Sequence, residues 1–321
     1  MRATVVGPKA KTPPTFSRLN FAVNKLFEFG FYSNTVKMNV ASASKTGVKF
    51  LTTGQVNIDT QKTLGALETR YATADKGVVF SEKWDTDNET RYATADKGVV
   101  FSEKWDTDNV ISSEITINDL VLTQRGLSLN MRASFSPVTG ARTASLRTLF
   151  ANERLNCVSG FELHQKQGDP MFIGSAVTSR PAGRGLWLLG CSYAYNTARS
   201  TLTKSSLALG FDAEDFSIRS NFENGSDVVG SLVHQINQDL QIGVQLRWNT
   251  NTSNTSFSLA TNYDIDPALA IKLKITNLRH LGISCRHVLR PGIALTMSSS
   301  LDCLKLAQGA HKIGLGVDIQ C

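Results

Sequence analysis

The sequence predicts an all-β transmembrane barrel with one short helix at its N-terminus, and three observations predict it. Strand-length segments with apolar and polar residues in strict alternation follow one another from about Thr35 to the last residues. Short turn sequences separate these segments, and no second helical pattern or linker interrupts the run, which excludes a parallel βαβ architecture. No apolar run reaches the roughly 18 residues that a membrane helix needs, so any membrane crossing falls to strands.

Taken in order, residues 1–12 read as a flexible basic leader, residues 13–34 as a helix and hinge, and residues 35–321 as the barrel. After Pro13-Pro14, Thr15 can cap a short helix in which Phe16, Leu19, Val23, Leu26 and Phe27 recur at helical spacing. Arg18, Asn20, Asn24 and Lys25 surround that stripe, which is expected to pack on a core. Beyond it come breaks such as Lys45-Thr46-Gly47, Asp75-Lys76-Gly77, Pro137-Val138-Thr139-Gly140, Glu223-Asn224-Gly225 and Arg290-Pro291-Gly292. Between breaks the alternation is plain. Leu240, Ile242, Val244, Leu246 and Trp248 oppose Gln241, Gly243, Gln245 and Arg247, and Leu269, Ile271, Leu273 and Ile275 oppose Ala270, Lys272, Lys274 and Thr276. Ile313, Leu315, Val317 and Ile319 oppose Lys312, Gly314, Gly316 and Asp318.

One hairpin unit is written twice. Residues Glu68–Asn88 recur unchanged as Glu89–Asn109, a tandem copy and not a period running through the chain. In each copy the arm after the Asp-Lys-Gly turn alternates, with Val78, Phe80, Glu82 and Trp84 on one face in the first copy, so Glu82 and its duplicate Glu103 sit in an apolar row.

Alternation alone is compatible with a soluble sandwich or a membrane barrel. A sandwich closes near about 100 residues per domain and needs linkers between domains, and none is present. Roughly eighteen to twenty-one strands of about nine residues fit one closed wall, which also removes exposed edges.

Composition narrows the chemistry without choosing it. Across 321 residues, 34 Lys and Arg against 27 Asp and Glu leave a net charge of +7, suited to nucleic acid, anionic lipid or anionic solutes. Cys157, Cys191, Cys285, Cys303 and Cys321 are widely spaced and lack metal-ligand or CxxC spacing, so they read as free thiols. His164, His234, His280, His287 and His311 form no HExxH motif, and Asp85-x-Asp87-x-Glu89 lacks the glycine and terminal glutamate of a calcium loop. No catalytic site, metal or resident cofactor is expected. MRATVVGPKAKTPPTF has no apolar signal core, which argues against secretory export.

Several blocks in order resemble one family, the voltage-dependent anion channels or mitochondrial outer-membrane porins. They are PPTF at Pro13–Phe16, LETRYATADKGVVFSEKWDTDN, SFSPVTG at Ser134–Gly140, YDIDPALAIKLKITN at Tyr263–Asn277, LRPGIALTMSSSLD at Leu289–Asp302 and GAHKIGLGVDIQ at Gly309–Gln320. The resemblance implies an N-terminal α-helix inside the lumen and a wall whose count of 19 strands belongs to the family and not to this sequence. If both hairpin copies enter the wall the count becomes 21. The sequence departs from the family pattern in two places. A glycine-rich hinge is reduced to Gly30-Phe31-Tyr32-Ser33-Asn34, and helix positions that are basic in the family are Phe21, Asn24 and Phe29.

In such a barrel the polar face lines water. Alternation then places Arg132, Arg147, Arg219, Arg247, Lys272, Lys274 and Lys312 in the lumen against Glu114, Asp302 and Asp318, a basic wall that should favour anions modestly. Glu82 and Glu103 fall on the lipid side, where a carboxylate is costly. The resemblance ties the glutamate of that motif to docking of a hexokinase-like partner and to self-association. It also implies transient nucleotide binding in the late strands, at His280-Leu281-Gly282 and Ser298-Ser299-Ser300-Leu301-Asp302. Lys312, Gly314, Val317 and Ile319 resemble the signal read on a last strand by outer-membrane assembly machinery.

The function so implied is a voltage-gated, weakly anion-selective channel. Small ions and metabolites, nucleotides included, would diffuse through it across the mitochondrial outer membrane, with lipid and anionic metabolites as its partners and no nucleic acid. A protein-import barrel is the alternative, and a non-conducting interaction scaffold is another.

Overall fold

Period-2 alternation gives each strand one apolar and one polar face, and a sheet with such faces is stable only if the apolar side is covered on both edges as well as above. Here the edges are removed by closure. The computed structural model describes residues 12–44, 48–73, 78–84, 98–105, 110–118, 126–164, 170–183, 185–277, 280–303 and 311–321; within these, the side chains of residues 48–49, 64, 66–73, 78–84, 98–105, 118 and 164 are left undescribed.

A 3₁₀ turn (Phe16–Arg18) and α1 (Phe21–Phe27) precede the sheet. The first ten strands are β1 (Thr35–Ala43), β2 (Val48–Asn57), β3 (Thr63–Thr73), β4 (Val78–Trp84), β5 (Gly98–Trp105), β6 (Ile111–Asn118), β7 (Leu127–Phe135), β8 (Arg142–Ala151), β9 (Leu155–His164) and β10 (Met171–Ala182). The remainder are β11 (Gly185–Asn196), β12 (Thr201–Asp212), β13 (Phe216–Glu223), β14 (Asp227–Gln235), β15 (Leu240–Asn249), β16 (Thr255–Asp266), β17 (Leu269–Thr276), β18 (His280–Arg290), β19 (Ile293–Asp302) and β20 (Lys312–Gln320).

All 20 strands belong to one sheet, and each pairs with its neighbours in sequence. The ring is closed by β1 against β20 in parallel, from Val36 opposite Leu315 to Ala41 opposite Gln320. One further junction is parallel: β4 and β5 pair in register, Val79 with Val100 through Trp84 with Trp105. Every other junction is antiparallel, so the number of direction reversals around the ring is even and the wall closes.

The described wall thus has 20 strands, one more than the 19 that the resemblance implies and one fewer than the 21 expected if the second copy inserts a whole hairpin. Its trailing arm is β5. Its leading arm, Glu89–Thr94, lies outside the described residues. The two copies contribute identical arms side by side and in the same direction, so Trp84 at the end of β4 and Gly98 at the start of β5 stand at opposite rims. That leading arm has only the few residues between the Asp85–Asn88 turn and Asp96-Lys97-Gly98, short of the roughly 9–11 a spanning strand needs.

The outer face is apolar and uncovered: Trp187, Leu189 and Tyr193 on β11, Leu207 and Leu209 on β12, Leu246 and Trp248 on β15, and Leu273 and Ile275 on β17 are all exposed. Such a continuous apolar belt is stable against hydrocarbon and not against water. The buried core lies inside the ring, where the helix rests on the wall.

Candidate functional site: the lumen and its docked helix

The stripe foreseen in the helix is the surface that docks. Val23, Leu26 and Phe27 are buried with Val233 of β14 and Ala260 of β16. Leu19, with Phe16 beside it, packs on Val177 of β10, Leu188 of β11 and Ala208 of β12. Removing a side chain of this size from water contributes about 1.5–3 kcal/mol. The wall is hollowed to receive it: a Cβ at Gly243 would stand 2.4 Å from Leu26 Cδ2, and one at Gly190 would stand 2.8 Å from Leu19 Cδ1. The helix is broken between the 3₁₀ turn and α1, and Thr15 makes no side-chain bond to a helical N–H; its hydroxyl meets Ser17 Oγ at 3.2 Å.

Polar fasteners hold the same segment along its length. Asn156 Nδ2 donates to the Pro13 carbonyl at 3.1 Å, and Arg219 Nε to the Leu19 carbonyl at 3.0 Å. At the other end Lys272 Nζ donates to the carbonyls of Lys25 and Phe29, at 3.0 and 3.1 Å, and Lys274 Nζ to that of Phe27 at 3.0 Å. These are the orphan carbonyls of a helix C-terminus, where positive charge is favourable. Ser284 Oγ donates to the Gly30 carbonyl at 2.8 Å, and Ser298 Oγ both accepts from Tyr32 N and donates to Tyr32 O. Burial, and next the charge of Asp318, hold the Tyr32 phenol above its usual pKa, so it stays neutral.

The segment after the helix therefore lies along β18 to β20. Gly30 takes φ +91°, and Asn34 takes φ +50° in place of a second glycine. Asn34 also ties three elements together: its Nδ2 donates to Asp59 at 2.6 Å, its carbonyl accepts from Ile58 N at 2.8 Å, and its Oδ1 accepts from Ile313 N at 3.2 Å.

All seven expected luminal cations stand on the inward face, but most are engaged. Arg219 is only 5% exposed and grips Asp212 through both carboxylate oxygens at 2.6 and 2.8 Å. Arg147 pairs with Glu162 across β8 and β9. Lys312 Nζ lies 3.7 Å from Asp59. Arg247 is exposed to the lumen. Arg132 is the register partner of Glu114, which accepts from Asn130, and Asp318 accepts from Asn39 Nδ2 at 2.7 Å.

The late-strand residues divide by face. His280 is the register partner of Asp302, Gly282 of Ser300 and Ser284 of Ser298, on the inward face; Leu281, Ser299 and Leu301 alternate outward. The linker already covers part of the inward set, because the Phe31 ring lies 3.2 Å from where a Cβ on Gly282 would stand and Ser298 is committed to Tyr32. On β20, Lys312 and Gly314 face inward and Val317 and Ile319 outward. Gly314 has a packing role here, since a Cβ there would meet the Tyr32 carbonyl oxygen at 1.8 Å.

Glu82 and Glu103 are direct register partners between β4 and β5, in a row that runs from Thr69 to Ser113. Ser113 shares its face with the exposed Ile111 and Ile115. The two glutamate side chains themselves lie outside what is described.

Asn34, Asn156, Asp212 and Ser284 are absent from the sequence-derived site, whereas Ser298 is in it with a different partner. Their partners are up to 279 residues away, and no local spacing announces them.

Comparison with known proteins follows this geometry. The eukaryotic porin family matches residues 12–95 and again 89–314, a restart that falls at the second hairpin copy. The chain is 33% identical over 310 residues to the non-selective voltage-gated ion channel VDAC1 of Homo sapiens, covering 96% of this chain and 99% of that one. It is 33% identical over 308 residues to the non-selective voltage-gated ion channel VDAC2 of Mesocricetus auratus, covering 96% and 95%. A substituted porin of Rh. blastica superposes with a TM-score of 0.44 at 9% identity, covering 65% of this chain and 88% of that one. With a closed strand wall, a helix docked inside it and near full-length similarity to these channels, the chain belongs to the eukaryotic porin family.

Proposed function

We propose that this protein is a voltage-gated channel through which small ions and metabolites diffuse across the mitochondrial outer membrane with a weak preference for anions. One observation carries the reading: the helix lies along one arc of a closed 20-strand wall, from β10 round to β18, and does not cross it. Barrels of 16–18 strands already leave an aqueous channel, and a single helix about 10–12 Å wide lining one side of a wider ring leaves a path for hydrated solutes. The relatives are named as voltage-gated channels, which supports the gating half of the reading.

Anion preference follows from Arg132, Arg247, Lys272, Lys274 and Lys312 on the inward face, tempered by the carboxylates paired among them. The width of the ring keeps it weak. Transient nucleotide contact at His280, Gly282, Ser300 and Asp302 belongs to the same proposal, as do docking of a hexokinase-like partner at Glu82 and Glu103 and self-association in the membrane.

A protein-import barrel would want an acidic or apolar polypeptide path, and the basic inward face counts against it. Planar-bilayer recording on purified protein tests the reading. Ohmic, voltage-closing conductance with a reversal potential displaced toward chloride supports it; cation preference favours the import barrel, and silence favours a scaffold.

A further inference from the structure

The docked helix turns one face to the wall and the other to the lumen, where two aromatic rings are exposed beside Lys25 and Glu28. Phe21 is 55% exposed and Phe29 50% exposed, although both stand in the water-filled interior. Phe29 lies just beyond the end of α1 at Phe27, and the two ring centroids are 6.0 Å apart in an edge-on arrangement at 75°. The rings therefore form one pair, and Lys25, four residues from each in sequence, is exposed on the same segment. Single exposed apolar residues need no explanation, but a paired aromatic surface in water is the kind of patch that marks a binding site.

Charge says what it would bind. Lys272 Nζ is fixed on the carbonyls of Lys25 and Phe29 at 3.0 and 3.1 Å, which puts a second ammonium against the main chain that carries Phe29. Lys25 and Arg286 are close enough to act electrostatically on Lys272, with Asp264 the acid that opposes them there. With Lys25 and Lys272 beside the pair and Arg286 next to Lys272, positive charges outnumber Glu28 and Asp264, which favours anions and gives a neutral aromatic solute no charge to pair with.

We infer that Phe21, Lys25 and Phe29, with Lys272 and Arg286 behind them, form a luminal site for a small planar aromatic anion, its ring on the phenylalanine pair and its acid group on the ammoniums. The site rests on the channel reading for access to the lumen. Its exposure on both sides makes it a weak, rapidly exchanging station in the permeation path and not a sealed pocket.

The test uses 2-naphthalenesulfonate on the full chain in two settings, as a blocker of single-channel current in planar bilayers and by equilibrium dialysis against protein in lipid nanodiscs. Saturable block is expected with 2-naphthalenesulfonate, and none with methanesulfonate or phenyl glucoside at the same concentration. Phe21→Ala with Phe29→Ala should raise the half-saturating concentration about tenfold, and Lys25→Gln should raise it as well while leaving both rings in place. These side chains face water, so the variants keep the docking surface. Equal saturation in the double variant would overturn the site, and equal binding of phenyl glucoside would overturn its assignment to anions. A protein that conducts but is not blocked refutes this inference alone. One that binds in dialysis without conducting refutes the channel reading and leaves the site standing.

Discussion

Lys274 donates its Nζ to the main-chain carbonyl of Phe27 at 3.0 Å, so a residue of the barrel wall caps the C-terminus of the helix it faces. Lys272 does the same one turn of the pleat away, bridging Lys25 and Phe29. The family's glycine-rich hinge is reduced here, and the segment that replaces it is fastened to β18, β19 and β20 through Gly30, Tyr32 and Asn34.

Replacing both lysines with methionine should loosen the helix while keeping most of the packing volume. A charged hydrogen bond to a helix-end carbonyl contributes about 1.5–3 kcal/mol when well buried, and about 1 kcal/mol at half-exposed positions such as these. Amide hydrogen exchange over residues 21–31 should accelerate several-fold or more. Unchanged protection would mean that the apolar stripe holds the helix unaided.

Reversing the same two charges, Lys272→Glu with Lys274→Glu, should also move the reversal potential in a salt gradient toward the cation value. A carboxylate cannot donate to the carbonyls, so the helix will be displaced as well. Comparison with the methionine pair separates charge from mobility. A reversal potential equal in all three proteins would put these side chains outside the permeation path.

Gly243→Val should eject α1 from its seat, because the glycine's missing Cβ is the space that Leu26 and Phe27 occupy at 2.4 and 2.9 Å. Overpacking at a tight contact costs about 1–3 kcal/mol, comparable to one of the docked side chains. Trypsin cleavage after Lys25 should become faster in reconstituted protein. Gly230→Val, at a site with nothing within 4 Å of the added atom, is the matched control and should leave cleavage unchanged.

Glu82 and Glu103 occupy adjacent register positions, on strands about 4.8 Å apart. Their register row continues onto Ser113, between the exposed Ile111 and Ile115 on the face turned to lipid, where a carboxylate is costly. A membrane-soluble carbodiimide should label wild type and either single Gln variant, and labelling should vanish only in Glu82→Gln with Glu103→Gln. Full labelling of the double variant would move the reactive group elsewhere.

What was legible in the sequence was whatever a period can encode. Alternation placed Lys272, Lys274 and Arg247 on the inward face and Leu273, Ile275 and Trp248 on the outer one, and the 3.6-residue stripe named Leu19, Val23, Leu26 and Phe27 as the docking surface. A period says nothing about partners. Arg219 reads from the sequence as a luminal charge with no named partner, and Asp212 and the Leu19 carbonyl enclose it, the latter contact joining residues 200 apart. Nor does alternation carry strand direction, which is why the parallel pairing of β4 with β5 could not be read from two identical arms.

The duplication gives the sharpest test, because 20 strands and 21 strands predict different consequences of removing Glu89–Asn109. In the described wall that deletion removes β5 alone. Val110 and β6 would then follow directly after Asn88, and β4 would take over the antiparallel pairing that β5 makes, with Glu82 opposite Ser113 as Glu103 is now. The sequences of β4 and β5 match at every paired position from Val79 to Trp84, so no contact to β6 changes its chemistry. The result is a 19-strand ring with β1 against β20 as its one parallel junction. Since barrel diameter grows roughly in proportion to strand number, losing one strand narrows the ring by about 5% and lowers its cross-section, and with it the open-state conductance, by about 10%. Losing a whole hairpin from a 21-strand wall would lower it by about twice that. The deletion should also stabilise the barrel, because it removes the parallel β4–β5 junction and joins β4 to β6 by one tight turn. Single-channel conductance read beside urea unfolding in lipid vesicles distinguishes the cases: a fall near 10% with a higher unfolding midpoint fits the 20-strand wall, a fall near 20% restores the 21-strand one, and no change removes the second copy from the wall altogether.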